Sequence, residues 1–104
     1  MADEYSLVTI AAPDGESARR MADDLLAGRL AASVQLLPIE SHYVWKGEVV
    51  HREEVLLLVT TRTALYPALE TAVAGSHEYE VPEIVRIPVA AGLPAYLDWI
   101  SAVT

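Results

Sequence analysis

The chain has 104 residues, 53% hydrophobic and 21% charged, which suffices for one globular core and is too short for two. Seven Lys and Arg against fifteen Asp and Glu give a net charge of -8, a surface that repels phosphate backbones and anionic lipid, so neither nucleic acid nor membrane is an expected partner. Cysteine is absent, which removes disulfides, thiolate metal sites, cysteine nucleophiles and redox motifs together. The N-terminus Met-Ala-Asp-Glu-Tyr is acidic where a secretory signal would be basic, and no apolar run approaches the roughly 20 residues that span a bilayer. A soluble cytoplasmic protein is expected.

Residues 5–12 (YSLVTIAA) are apolar and partly β-branched and end at the turn signal Pro13-Asp14-Gly15, which predicts a first strand. Ala18, Met21, Ala22, Leu25 and Leu26 then recur at helical spacing, with Arg19, Arg20, Asp23 and Asp24 on the other side. Asp14 suits the N-cap and Gly28 the left-handed position beyond the end, so a helix is predicted over 15–27. Two long extended runs, 31–45 and 48–61, flank Lys46-Gly47, where glycine can take the positive φ of a tight hairpin. Pro38 cannot donate to a strand ladder, so a bulge or an edge-exposed kink is expected there. Leu65, Ala68, Leu69, Ala72 and Val73 predict a second helix over 64–74, with Pro67 in its first turn and Gly75 near its end. Residues 83–89 read as a fourth strand, and Ala95, Tyr96, Trp99, Ile100 and Val103 suit a short helix after Pro94.

The order βαββαβ plus a helix, undivided by any linker or charge block, predicts a single α+β domain over 1–104. Its fold class is a ferredoxin-like split βαβ sandwich with a C-terminal helix and a long hairpin between the second and third strands. A two-layer sandwich open to water on one sheet face should alternate apolar and polar residues, yet Val55-Leu56-Leu57-Leu58-Val59 is apolar on both faces. Hairpin arms of this length exceed the usual strand of about 5–6 residues, so their tips should overhang the domain. An overhanging edge that carries Tyr43 and Trp45 pairs with something, and an intertwined homo-oligomer is predicted.

Of the three histidines, none stands at a metal-like helical spacing from another. A turn at Lys46-Gly47 sets His42 across from His51; such a pair can bind Cu(II), Zn(II) or Ni(II), although on an exposed hairpin it reads as solvated. His77 lies in Ser76-His77-Glu78-Tyr79-Glu80-Val81-Pro82-Glu83, an imidazole, a phenol and carboxylates between the second helix and the fourth strand. That segment is either a solvated connection, a hard-ligand metal site or a small-molecule pocket with His77 as proton carrier. Tyr43, Trp45, Tyr96 and Trp99 read as core or interface anchors. With no phosphate-cradling glycine loop, no Gly-x-Ser-x-Gly turn and no nucleophile placed beside a base, the chain is not expected to be an enzyme.

Several segments, in order, resemble the CutA family of divalent-cation tolerance proteins. They are Ala12-Pro13-Asp14, Gly28-Arg29-Leu30-Ala31-Ala32, Tyr43-x-Trp45-x-Gly47, Glu54-Val55-Leu56-Leu57, Tyr66-Pro67-Ala68-Leu69-Glu70, His77-x-Tyr79-Glu80-Val81-Pro82-Glu83 and Pro94-Ala95-Tyr96-Leu97-Asp98-Trp99-Ile100. The resemblance implies a homotrimer built through the long hairpin, similar in architecture to PII signalling proteins, with a role in tolerance to copper and other divalent cations. It also implies a pocket near the subunit boundary at His77, Tyr79 and Glu80, here grouped with Tyr43 and Trp45, and His77 as the candidate metal ligand. Three positions depart from the usual family pattern: Ser33 where Cys is common, Thr60 where Lys is frequent, and Glu78 where Pro often follows the His. Without thiols, imidazole and carboxylate remain, which favour Cu(II) or Zn(II) over Cu(I). The alternatives are a PII-like small-molecule sensor and a structural trimer with an anchoring role.

Overall fold

Alternating apolar residues, one amphipathic repeat and a two-residue turn are enough to fix most of the architecture. The computed structural model describes residues 4–104. It contains β1 (Tyr5–Ala12), α1 (Gly15–Ala27), β2 (Ser33–Trp45), β3 (Glu48–Arg62), a 3-10 turn (Thr63–Leu65), α2 (Tyr66–Ser76), β4 (Ile84–Pro88) and α3 (Pro94–Val103). The strands form one antiparallel sheet in the order β2-β3-β1-β4. β3 therefore lies between β1 and β2, and β1 between β3 and β4, which interleaves the two βαβ halves.

Ser6, Val8, Ile10 and Ala12 of β1 pair with Thr61, Val59, Leu57 and Val55 of β3 and share one sheet face. That face meets Ala18, Met21 and Leu25 of α1 and Leu69 and Val73 of α2 in the core, where Val8, Ile10, Leu57, Val59 and Leu69 are wholly buried. The opposite face carries Leu7, Thr9, Ala11, Leu56, Leu58, Leu37, Val85 and Ile87. α3 lies over one end of it: the Tyr5 and Ser101 hydroxyls are 2.6 Å apart, and Arg62 Nε donates to Thr104 Oγ1 at 2.9 Å. Between α3 and the far end, Leu37, Val85 and Ile87 stay 45%, 49% and 45% exposed.

α1 starts as expected, with the Asp14 carboxylate accepting the Ser17 N–H at 2.8 Å, which also holds the Asp14 carboxyl below its ordinary value. Its end corrects the expectation for Gly28, which sits at φ -80; the left-handed residue is Arg29 at φ 55. Arg29 N–H bonds the Leu26 carbonyl and Leu30 N–H the Leu25 carbonyl, a complete Schellman closure with a side chain where glycine is usual. Glycine is instead favoured at 28 because a Cβ there would stand 3.3 Å from the Asp24 carbonyl oxygen.

The hairpin turns through Lys46 (φ 50) and Gly47 (φ 80), both positive, as a type I′ turn requires. From Trp45↔Glu48 to Ser33↔Thr60 the register runs without interruption, so the bulge expected at Pro38 is absent and the edge-strand alternative holds. The reason lies in the neighbouring ladder. Thr63 N–H donates to the Glu4 carbonyl, so odd-numbered residues of β3 turn their backbone groups towards β1 and even-numbered ones towards β2. Val55, opposite Pro38, asks nothing of it. β1 reaches only from Val55 to Arg62, which leaves Glu48 to Glu54 paired with Ile39 to Trp45 alone. The ribbon overhangs by roughly seven residue rises of about 3.4 Å, and the molecule is 46 Å long against 26 and 22 Å across.

Replacing Arg29 with glycine removes a left-handed strain of about 1–2 kcal/mol and adds about 0.4–1 kcal/mol of unfolded-state entropy. Arg29→Gly is therefore expected to raise the urea midpoint modestly, with no change in slope.

Candidate functional site

Alternation along the hairpin determines what its root presents. Counting from the turn, Ser41, Tyr43 and Trp45 share a face with Val50, Arg52 and Glu54, and this face continues the sheet face opposite the core. The segment 77–83 leaves α2 on the helix side, passes the C-terminal end of β1, and lays Tyr79 against that same face. A cleft of about 420 Å³ results, lined by Tyr43, Trp45, Arg52, Glu54, Tyr79 and Glu80, with Ala11, Val50, Glu78, Val81 and Glu83 completing the wall.

His77 holds the segment in place. Its Nε2–H donates to the Ala11 carbonyl at 2.8 Å, and its Nδ1 accepts the Tyr79 N–H at 3.0 Å. Both ring nitrogens are used, which fixes the neutral Nε2–H tautomer and leaves no lone pair for a metal or a travelling proton. His77 is thus a clip between β1 and the segment, outside the cleft wall, where the sequence suggests a ligand. Its ring also packs against Tyr79, with centroids 4.9 Å apart.

Tyr79 is the centre of the site. Its hydroxyl donates to Glu54 Oε2 at 2.7 Å, and the Arg52 guanidinium lies 4.9 Å from its ring centroid. Burial first, then the hydrogen bond to Glu54, push the Tyr79 phenol well above its ordinary value, while Arg52 acts in the other direction. Arg52 is held above its own ordinary value by a hydrogen bond with Tyr43 and by the nearby Tyr79. Glu54 is only 7% exposed, a buried carboxylate supplied with a donor and a neighbouring cation. At the outer rim Lys46 Nζ stands 3.7 Å from Glu80 and 5.6 Å from the Trp45 ring.

Of the residues proposed from sequence, Tyr43, Trp45, Tyr79 and Glu80 converge on the cleft. Arg52 and Glu54 are site residues that the sequence reading misses, although counting in twos from Lys46-Gly47 places them on the face of Tyr43. The three departures from the family pattern also find physical partners. Ser33 and Thr60 are cross-strand neighbours whose hydroxyls are 2.6 Å apart, and Glu78 accepts the Ser17 hydroxyl at 2.9 Å with Arg20 at 3.7 Å. The wall carboxylates Glu54, Glu78, Glu80 and Glu83 are oxygen donors suited to a hard cation. Among the described residues, no three His, Asp or Glu gather closely enough to hold a metal ion, and no helix is long and apolar enough to cross a membrane.

A split βαβ domain with an aromatic, carboxylate-lined cleft at the root of an overhanging hairpin is the class that the fold and site define. The family model described as CutA1 divalent ion tolerance protein matches residues 6–103, and the chain belongs to that family. It is similar to the divalent-cation tolerance protein CutA of Thermus thermophilus, 47% identical over 99 residues that cover 94% of each chain. To Protein CutA of Mus musculus it is 40% identical over 100 residues, 95% of this chain and 56% of that one, so it spans about half the length of that relative. Among solved structures, the one described as periplasmic divalent cation tolerance protein CutA from Archaeoglobus fulgidus superposes with a TM-score of 0.94 at 35% identity, covering 95% of this chain and 97% of that one. The solved divalent cation tolerance protein from Thermus thermophilus superposes with a TM-score of 0.93 at 46% identity, covering 96% of this chain and 98% of that one.

Because the unfolded phenol ionises near pH 10 and the folded Tyr79 phenol later, Tyr79's contribution to stability is intact below pH 10 and is lost as the pH rises above it. Tyr79→Phe is expected to cost about 1.5–3 kcal/mol at neutral pH, the range for a hydrogen bond to a charged group. It should also flatten the alkaline loss of stability, both read from urea unfolding between neutral pH and about pH 11.

Proposed function

We propose that the chain assembles as a homotrimer and acts in divalent-cation tolerance, with the overhanging ribbon of each subunit clasping its neighbour and the cleft lying near that boundary. The observation that carries this reading is the combination of a half-exposed apolar sheet face at Leu37, Val85 and Ile87 with a two-stranded ribbon whose outer edges no strand of the described chain pairs. Free edges next to apolar surface are stable in water only when covered, and Tyr96 and Trp99, 43% and 42% exposed, extend the apolar surface onto α3. Tolerance to divalent cations is the property by which the relatives are named, and it comes to this chain through family membership. In this reading the protein acts in the cytoplasm and the cleft binds without catalysing.

A second reading, a PII-like sensor of small molecules, is favoured by the lining itself. Tyr43, Trp45 and Tyr79 line, with Arg52, a space of small-ligand size. In this reading the cleft takes a planar metabolite, and His77 shapes the wall.

Native mass spectrometry over a dilution series is expected to give a trimer, and the thermal midpoint is expected to rise with protein concentration. A monomeric mass with a concentration-independent midpoint contradicts the proposal. In the same experiment, His77→Ala should loosen the segment and lower the midpoint without removing any bound Cu(II) or Zn(II).

A further inference from the structure

The ribbon has a second face, turned away from the cleft, which the proposed function does not use. There Glu40 pairs with Glu53, His42 with His51 and Val44 with Val49 in three successive steps towards the tip. By the alternation that frees Pro38 of any ladder bond, the His42 and His51 pair is of the closely spaced, non-hydrogen-bonded kind, whose side chains stand nearest to one another. Their ring centroids are 4.4 Å apart with the planes inclined at 46°.

We propose that His42 and His51 form a chelating site for a single divalent transition-metal ion of the copper(II) class, separate from the cleft. Its use in cation tolerance rests on the function proposed above; the site itself stands on the ribbon geometry. A metal–nitrogen bond of about 2.0 Å sets an ion roughly 3.2 Å from each ring centre, and two imidazoles bound at right angles then have centres roughly 4.5 Å apart. The observed centroid spacing of 4.4 Å matches that of two imidazoles bound side by side on one ion.

The surroundings add a second feature of such sites. Glu40 Oε1 lies 2.8 Å from His42 Nε2, so in the neutral ring Nε2–H donates to the carboxylate and Nδ1 keeps its lone pair. A carboxylate on the far nitrogen fixes the ring and makes the ligating nitrogen more basic. Glu53 stands across from Glu40, and a hollow lined by Asp14, Glu40 and Glu53 adjoins the pair, so cations are drawn to this side of the ribbon. The His42 side chain is 53% exposed in the single chain. Two imidazoles and water in a tetragonal arrangement suit Cu(II) first, then Ni(II) and Zn(II).

The experiment is a titration of the intact protein with Cu(II), followed by calorimetry and by electron paramagnetic resonance at high ionic strength, where diffuse attraction is screened. One ion per chain with two-nitrogen splitting is expected, reduced to background in His42→Ala and in His51→Ala. Glu40→Gln is expected to weaken it by about tenfold or more, and His77→Ala to leave it unchanged. All four substitutions lie outside the core, so the folded protein remains available for each measurement. Binding that survives His51→Ala, or that vanishes at high ionic strength in the wild type, overturns the proposal. Neither result bears on the mass measurement, so failure of this site and failure of the trimer are told apart.

Discussion

The register of the β2–β3 hairpin is the constraint on which the other features rest. Side chains of a strand alternate between faces, so a slip of one residue would exchange the two sets completely. With Lys46 and Gly47 both at positive φ and the pairing continuous for thirteen steps, Tyr43, Arg52 and Glu54 meet on one face and Glu40, His42, His51 and Glu53 on the other. Pro38 could have broken that continuity. It falls where β3 directs its backbone groups away, so the ladder passes it without loss.

The cleft follows from this register and from one clip. Segment 77–83 has no regular structure of its own, and it is carried to the far side of the sheet by His77, bonded to the Ala11 carbonyl and to the Tyr79 amide. Tyr79 then finds the Glu54 carboxylate, and Arg52 closes over its ring. A buried carboxylate without such partners would cost several kcal/mol on the order usual for uncompensated charge, so Glu54, Tyr79 and Arg52 belong together as one network. The phenol stays neutral through the physiological range, which makes Tyr79 a hydrogen-bond donor to Glu54.

Much of the fold is legible in the sequence because it rests on period and on turn chemistry. The α1 range, the turn at Lys46-Gly47 and the His42/His51 pairing all follow from local rules that tertiary packing does not override. Boundaries move where closures compete: β2 begins at Ser33 rather than 31 because Arg29 and Leu30 are still occupied in ending α1. The left-handed residue falls one position later than propensity places it, at Arg29, and the glycine at 28 answers instead to the nearby Asp24 carbonyl, a contact that no propensity reveals. The site is half legible. Aromatic residues of the tip and the His77–Glu80 segment stand out by composition, whereas Arg52 and Glu54 look like ordinary charges of a polar strand until the register is followed past the turn. His77 reads as a ligand because its partners, a carbonyl of β1 and the backbone amide two residues on, carry no signature in the sequence.

The register can be observed directly. In a nuclear Overhauser experiment on the protein in solution, the closely spaced pairs should show strong cross-strand Hα–Hα contacts. The account expects them for Pro38 with Val55, Glu40 with Glu53, and His42 with His51, as one unbroken series. Contacts of His42 with Val50 or Arg52 instead, or a series that breaks at Pro38, would contradict the arrangement from which both the cleft and the histidine pair are derived.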